Sequence, residues 1–402
     1  MKTVLYITWD SDQTNYLESL FFPIFDGVQI EGDYQFIVYQ FSWASLEEVD
    51  RIRRLALGQG VDYIHHPVPR KKGRLQGTLE ALLKGREEIK KLIRNRAIEI
   101  IMPRSTLPAI LINSIYGFLR KHHLKIVFEA DGFPIQERID FSGLAPDSIQ
   151  TRFFLQQEGK LLFRAHAILT RSYKAIDIHL KKIGEDYRSK FFVASNGRDP
   201  DFFYFRKEKR EEIREALGIK EGEFCWVYVG SLGPAYGNNE MIAIFDQAQA
   251  RFGNLRFLIL PNDLTYAKNH LNSEFPDRIH IHSVPFAEIP NFLSAADIGI
   301  SFRKNAPSLA GLFPIKLGEY LLCGLPILGS LNMGDAADYL SDKKFVLALD
   351  LDKTEEWYHS LESLPALAGL DREAIRAFAL EYFSLEKSVR TYLNALDFSS
   401  SE

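Results

Sequence analysis

Residues 313–328, FPIKLGEYLLCGLPIL, decide how the second half of this chain is read. Pro314 fits the first position of a helix, because the N–H it lacks is one that the first turn leaves unused. Lys316 falls in that first turn, and Glu319, three residues on, shares its face. Gly324 can take the left-handed conformation that ends a helix, and Pro326 prevents its continuation. The plain alternative is a capped surface helix carrying an i, i+3 ion pair between Lys316 and Glu319.

Outward from this stretch, short β-branched runs alternate with helical periodicity. Candidate strands in the first half are 3–8, 35–41, 61–68, 99–105, 125–131, 167–172 and 191–195. Helical stretches such as TLEALLKGREEIKKLIRN (78–95) separate several of them, with apolar residues at i, i+3, i+4. The rhythm breaks over 196–224, which reads as a linker and one charged surface helix. It then restarts with strands at 225–230, 256–261, 279–285, 298–302, 326–330 and 345–350. Strands alternating with helices imply βαβ units and parallel sheets. The expected fold is therefore α/β, with two Rossmann-like doubly wound domains facing across a cleft: residues 1–200 and 201–378. Ligands in such sheets bind beyond the carboxyl ends of the strands.

A length of 402 residues suits two or three domains. The net charge of −4 argues against a nucleic-acid partner, which calls for a basic excess. Cys225 and Cys323 are too few for a disulfide framework and read as buried thiols of a reducing compartment. The opening MKTVLYITWD reads as a first strand and not as a signal peptide. PAILINSIYGFL falls well short of the ~20 apolar residues a membrane span needs, so a soluble, cytoplasmic protein is expected. His65-His66 and His122-His123 lack a metal-ligand spacing, and neither a metal nor a cofactor is expected.

Two further segments follow strands and carry chemistry. VYVGSLGPAYGNNEMI places Gly230, Gly233 and Gly237 ahead of a helix start near Asn238, where the backbone can approach an anion. A Gly-rich loop with no ligand fits that segment equally well. ISFRKNAPS places Arg303 and Lys304 at a strand's carboxyl end, suited to a diphosphate or to a solvated basic turn. With these loops beside it, the 313–328 helix gains a meaning. Lys316 and the helix N-terminus favour phosphate, and the Glu319 carboxylate can accept from the paired hydroxyls of a ribose.

FPIKLGEYLLCGLPIL, YVGSLGPAYG and ASNGRDPDFF together resemble the GT-B glycosyltransferases, specifically retaining family four (glycosyl transferases group 1). Its most specific element here is the run P-x-K-x-x-E-Y-L-x-x-G-x-P. The resemblance spans nearly the whole chain. It implies a nucleotide-sugar donor, UDP- or GDP-linked, held mainly by the C-terminal domain, and an acceptor held by the N-terminal one. It also implies transfer with retained anomeric configuration, no essential metal, and a final helix (379–402) crossing back to the N-terminal domain. Glu319 matches the family's ribose-binding glutamate. Gly311 stands where the family carries another glutamate, eight residues earlier. Ser231 and Tyr236 stand where it carries an arginine and a lysine. Arg303 and Lys316 are then expected to supply the diphosphate charge, with Ser231 nearby and the backbone N–H groups of Gly311, Leu312 and Phe313 contacting the sugar.

In the N-terminal half, MPRST (102–106) and VFEADGFPIQER (127–138) follow strands. Arg104, Asp131 and Glu137 are the candidates for facing the acceptor, with Asp131 either orienting a hydroxyl or capping its loop. Arg70, Lys71, Lys72 and Arg74 suit anionic lipid headgroups if the acceptor is lipid-linked, or form a solvated loop. The expected activity is sugar transfer to a hydroxyl of a glycan or lipid-linked acceptor, with Asp131, Arg303 and Lys316 as catalytic groups. The competing readings are a non-catalytic nucleotide-sugar binder, suggested by Gly311, and a nucleotide-sugar epimerase of the same shape.

Overall fold

The computed structural model describes every residue except 13–14, 71–73 and 402. It divides into two compact units. Unit 1 comprises Met1–Ser195, Ala310–Leu312 and Leu385–Glu402; unit 2 comprises Asn196–Leu309 and Phe313–Ser384.

Unit 1 is built on seven strands: β1 (Lys2–Trp9), β2 (Tyr34–Ser42), β3 (Asp62–Pro67), β4 (Ile98–Pro103), β5 (Lys125–Glu129), β6 (Ala167–Thr170) and β7 (Phe191–Val193). They form one sheet in the order β3-β2-β1-β4-β5-β6-β7, with every pairing parallel. Unit 2 carries six: β8 (Phe224–Gly230), β9 (Leu255–Pro261), β10 (Ile279–Ile281), β11 (Ile298–Ser301), β12 (Ile327–Gly329) and β13 (Val346–Ala348). Their order is β10-β9-β8-β11-β12-β13, again all parallel.

Each of the thirteen strands coincides with an expected segment; β1, β2, β4, β8 and β9 run one residue past it at one end or both. Their apolar runs suit a sheet covered on both faces by crossover helices: Val4, Leu5, Tyr6 and Ile7 are wholly buried, as are Cys225 to Tyr228. In each sheet the order reverses about the first strand, β1 or β8. The loops after β1 and β4, and after β8 and β11, therefore diverge and open a crevice at the carboxyl edge. Several strands end earlier than their apolar runs suggest. The 279–285 run pairs only over Ile279–Ile281, with one further bond from the His282 N–H to the Ile259 carbonyl (3.0 Å).

The charged stretch 196–224 carries one helix, Lys207–Ala216, and no strand before Phe224. Both cysteines are buried and free. No described helix is long and apolar enough to cross a membrane. The final segment, expected as one helix over 379–402, is divided between two: Arg372–Phe383 and Leu385–Ser401. Ser384 separates them in an extended conformation (φ −71°, ψ 152°), and Arg198 pairs there as an isolated bridge. The Leu385–Ser401 helix packs within unit 1 on the Phe22–Glu31 helix and on β5, β6 and β7.

His179, on the Tyr173–Ile183 helix, lies between the rings of Phe133 and Phe191 and is only 4% exposed. Burial, with a smaller contribution from Lys182, lowers its pKa from 6.5 to about 3. A depressed imidazole binds fewer protons in the folded chain than in the unfolded one. Its contribution to stability is therefore full above pH 6.5 and is lost as the pH falls toward 3. His179→Leu should flatten the stability profile of the protein by up to about 1.4 kcal/mol per pH unit between those limits. Urea unfolding at a series of pH values measures this; parallel profiles for the two proteins would contradict it.

Candidate functional site

At the carboxyl edge of unit 2, the loop after β8 turns on Gly230, whose φ of +114° suits a residue without a side chain. A Cβ there would also lie 2.9 Å from the Lys316 Cε and 3.3 Å from its Nζ, so the ammonium sits directly over this loop. Lys316 is on the helix Ile315–Leu322, with Pro314 as its N-cap, one place before the position expected for it. Gly324 ends the helix with φ +69°, as expected. The Lys316 ammonium donates to the Tyr228 hydroxyl (2.8 Å) and lies 4.0 Å from the centre of that ring. The Tyr228 hydroxyl in turn donates to the Ser231 carbonyl. Burial pushes the Lys316 pKa well below the usual lysine range, and the nearby Arg303 charge lowers it further.

Arg303 reaches the same place from the loop after β11. Its guanidinium lies 3.9 Å from the centre of the Tyr236 ring, and the Lys316 ammonium lies 5.0 Å from that centre. The Arg303 N–H is fixed by the Ser330 hydroxyl (2.8 Å). Lys304 does not join them. It forms an ion pair with Glu240 (2.8 Å), and its backbone N–H donates to the Ala235 carbonyl (3.1 Å). Ser231, in the loop after β8, accepts at its hydroxyl from Asn262 (3.1 Å).

Glu319 takes a partner that sequence reasoning did not assign. Its Oε1 accepts from the Arg198 Nε at 3.0 Å, and the two side chains are 7% and 4% exposed. The simple i, i+3 pair with Lys316 is thus replaced by a contact across 121 positions. Burial raises the Glu319 pKa, and Arg198 and Lys316 only partly offset it. Arg198 lies in the quoted ASNGRDPDFF, but nothing in local spacing reveals its partner.

Gly311 ends the short 3₁₀ turn Pro307–Gly311. A Cβ there would lie 2.6 Å from the Phe133 ring, which accounts for the missing side chain at this position. Gly311 and Leu312 group with unit 1, and Phe313 with unit 2, where its carbonyl accepts from the Asn196 amide (2.6 Å).

In unit 1 the carboxyl edge holds a chain of paired charges. Arg104, directly after β4, donates to Asp10 after β1 (3.2 Å) and to Asp131 after β5 (2.6 and 2.9 Å). Arg171, after β6, donates to the other Asp131 oxygen (3.0 Å) and to Glu129, whose second oxygen accepts from Tyr392 (2.6 Å). Burial alone would raise the Asp131 pKa, but Arg104 and Arg171 hold it well below the carboxylate range. An acid held ionised in this way is a weak proton acceptor, so its geometry suits orienting the two arginines. Ser105 turns the chain out of β4 at φ 67°, a conformation uncommon outside glycine, with its N–H on the Glu129 carbonyl (3.0 Å). Such an outlier is maintained only where its surroundings determine it.

Glu137 stands half-buried in the first turn of the helix Pro134–Ser142, with its backbone N–H on the Phe133 carbonyl (2.8 Å). Glu129 and Arg171 were missed in the sequence. A carboxylate closing the apolar run KIVFE was their one available signal. Among the described residues, no group of three or more His, Cys, Asp and Glu side chains could hold a metal ion. Lys71 and Lys72 lie outside the described residues, and so does the Arg74 side chain; the Arg70 guanidinium lies 3.6 Å from the centre of the Trp43 ring.

No protein-family model matches the sequence, and no curated protein matches it. Solved structures match the fold. The two parallel sheets, of seven and six strands, match those of structural neighbours that are GT-B glycosyltransferases. HepE of Anabaena, in complex with UDP and glucose, is similar with a TM-score of 0.70 at 14% identity, covering 99% of this chain and 100% of its own. A glycosyltransferase of Rickettsia africae is similar with a TM-score of 0.70 at 14% identity, covering 100% and 99%. WaaG, a glycosyltransferase involved in lipopolysaccharide biosynthesis, gives 0.66 at 16% identity, covering 97% and 98%.

The buried pair makes a prediction about stability. Arg198→Ala leaves the Glu319 carboxylate buried without its guanidinium and should cost about 3–5 kcal/mol of unfolding free energy. Adding Glu319→Gln should recover part of this, because an amide is cheaper to bury than a charge. Urea titrations of the single and double variants decide the matter; a single variant within about 1 kcal/mol of the parent would contradict the pair's role.

Proposed function

We propose that this protein is a retaining, metal-independent hexosyltransferase. It moves a sugar from a UDP- or GDP-sugar to a hydroxyl of a glycan or lipid-linked acceptor. The observation that carries the reading is the meeting of Arg303 and Lys316 over the glycine turn at the β8/β11 crevice, with Glu319 on the same helix as Lys316. The similarity to HepE, solved with UDP and glucose and with UDP-glucose, supports it.

In this mechanism the diphosphate departs against Arg303, Lys316 and the N-terminus of the Ile315–Leu322 helix. The Glu319 carboxylate accepts from the ribose hydroxyls while Arg198 fixes its orientation. Ser231 and the backbone N–H groups of Gly311, Leu312 and Phe313 contact the donor. The acceptor hydroxyl attacks from the face that the diphosphate leaves, and the departing phosphate takes its proton. Arg104 and Glu137 serve the acceptor, with Asp131 holding Arg104 in place.

We place the enzyme in the cytoplasm, in polysaccharide or lipid-linked glycan assembly. Leu75, Leu79 and Leu83 are 73%, 52% and 60% exposed at i, i+4, i+8 on the Arg74–Asn95 helix. They directly follow the basic run of Arg70, Lys71, Lys72 and Arg74, a combination suited to peripheral contact with an anionic leaflet. Gly311 favours a second reading, a binder without turnover.

Calorimetry and labelled nucleotide sugars test the proposal. UDP or GDP should bind more tightly than its nucleoside, and Arg303→Ala should weaken the diphosphate by ~1.5–3 kcal/mol while sparing the nucleoside. Equal losses for the two ligands would remove the diphosphate role. Glu319→Gln should cost a ribonucleotide roughly 1–3 kcal/mol and its 2′-deoxy form less. Slow release of free sugar supports the transferase, conversion to an epimer supports an epimerase, and binding without turnover supports the second reading.

A further inference from the structure

The side chain of Tyr236 has no part in the chemistry above, yet two cations from distant segments meet on it. Arg303 arrives from the β11 loop and Lys316 from the helix Ile315–Leu322, 3.9 and 5.0 Å from the ring centre. Two like charges gathered in a half-buried pocket repel each other. Few groups oppose this without neutralising the charge that an anion is meant to meet. A carboxylate would pair with the cations and compete with the ligand. The face of an aromatic ring attracts a cation through its quadrupole and carries no net charge.

We propose that Tyr236 is a positioning residue whose ring holds Arg303 and Lys316 together as one preformed receptor for the diphosphate of the donor. This rests on the reading of the site given above and deepens it. Tyr228 is the floor of the same device. Its ring lies 4.0 Å from the Lys316 ammonium and its hydroxyl accepts from it, leaving the ammonium bonded to a neutral group. The short turn Pro234–Tyr236 sets the ring's position, and its Ala235 carbonyl accepts from the Lys304 N–H (3.1 Å), tying the turn to the residue after Arg303. Preorganisation of this kind acts on binding: a receptor already assembled spares the ligand the cost of gathering it.

The experiment is calorimetric titration of UDP, GDP and their nucleosides into the full chain and its position-236 variants. Tyr236→Leu keeps an apolar group and removes the aromatic face, and it should weaken the preferred diphosphate about tenfold. Its nucleoside should change less than about twofold, since no cation–π contact serves the nucleoside. Tyr236→Phe keeps the face and should bind as the parent does. If Tyr236→Leu fails to fold, fluorinated phenylalanine at position 236 drains the ring face at nearly constant volume. Diphosphate affinity should then fall with each added fluorine. Should the parent bind diphosphates no more tightly than nucleosides, the reading of the site itself is wrong. Should the parent discriminate while Tyr236→Leu or the fluorinated forms match it, only the role of Tyr236 is overturned. Loss of equal size for diphosphate and nucleoside would also overturn it, because it would mark a general packing role.

Discussion

A parallel sheet covered on both faces leaves charge one place to gather, beyond the carboxyl ends of its strands where their order reverses. Each unit of this protein has one such place. Unit 1 fills it with Asp10, Arg104, Asp131, Arg171 and Glu129, a chain in which every guanidinium meets a carboxylate. Unit 2 places Arg303 and Lys316 against aromatic faces. The first arrangement satisfies its own charges and fixes geometry. The second lays its cations on ring faces, whose quadrupoles attract a cation without adding a charge of their own.

Burial decides how firmly these charges are held. Arg171 and Glu129 are 1% and 0% exposed, so separating them would expose each to a large desolvation penalty. Tyr392 on the last helix donates to the same Glu129, which ties the end of the chain to the edge of β5. Arg198 plays the matching part in unit 2. It holds Glu319 through its guanidinium, and its backbone N–H donates to the Phe383 carbonyl just before the extended residue that parts the two last helices. The break within the expected 379–402 helix thus coincides with a tertiary hydrogen bond. Periodicity sees the apolar face of both helices and not the residue between them.

The same distinction separates what was legible in the sequence from what was not. Strands announce themselves by apolar runs of β-branched residues, a property of a few adjacent positions, and all thirteen were readable. Gly230 and Gly324 were readable too, because each satisfies a local backbone demand, φ +114° and +69°. Pairing is another matter. Glu319 meets Arg198 across 121 positions and Glu129 meets Tyr392 across 263, separations over which a single sequence carries no signal. Lys304 stood beside Arg303 in the sequence and was read with it, but consecutive residues leaving a strand point in different directions, and Lys304 turns to Glu240.

Gly311 shows how such a distant contact changes the chemistry of the proposed site. The resembled family places a carboxylate there, against the donor sugar. In this chain a Cβ at 311 would lie 2.6 Å from the Phe133 ring, so restoring a glutamate needs more than one substitution. Phe133 is in turn held against His179, whose buried neutral ring would be left with a cavity beside it if Phe133 were cut back to make room. The missing carboxylate is thus tied to the packing of the unit 1 core and not to an isolated exchange at a surface position. Under the proposed function, the sugar is read by backbone donors at 311–313, which carry no charge to discriminate among hydroxyls, while affinity rests on the diphosphate and ribose groups. Recognition is then strongest for the nucleotide and most permissive at the sugar, the reverse of a site with a carboxylate at that position.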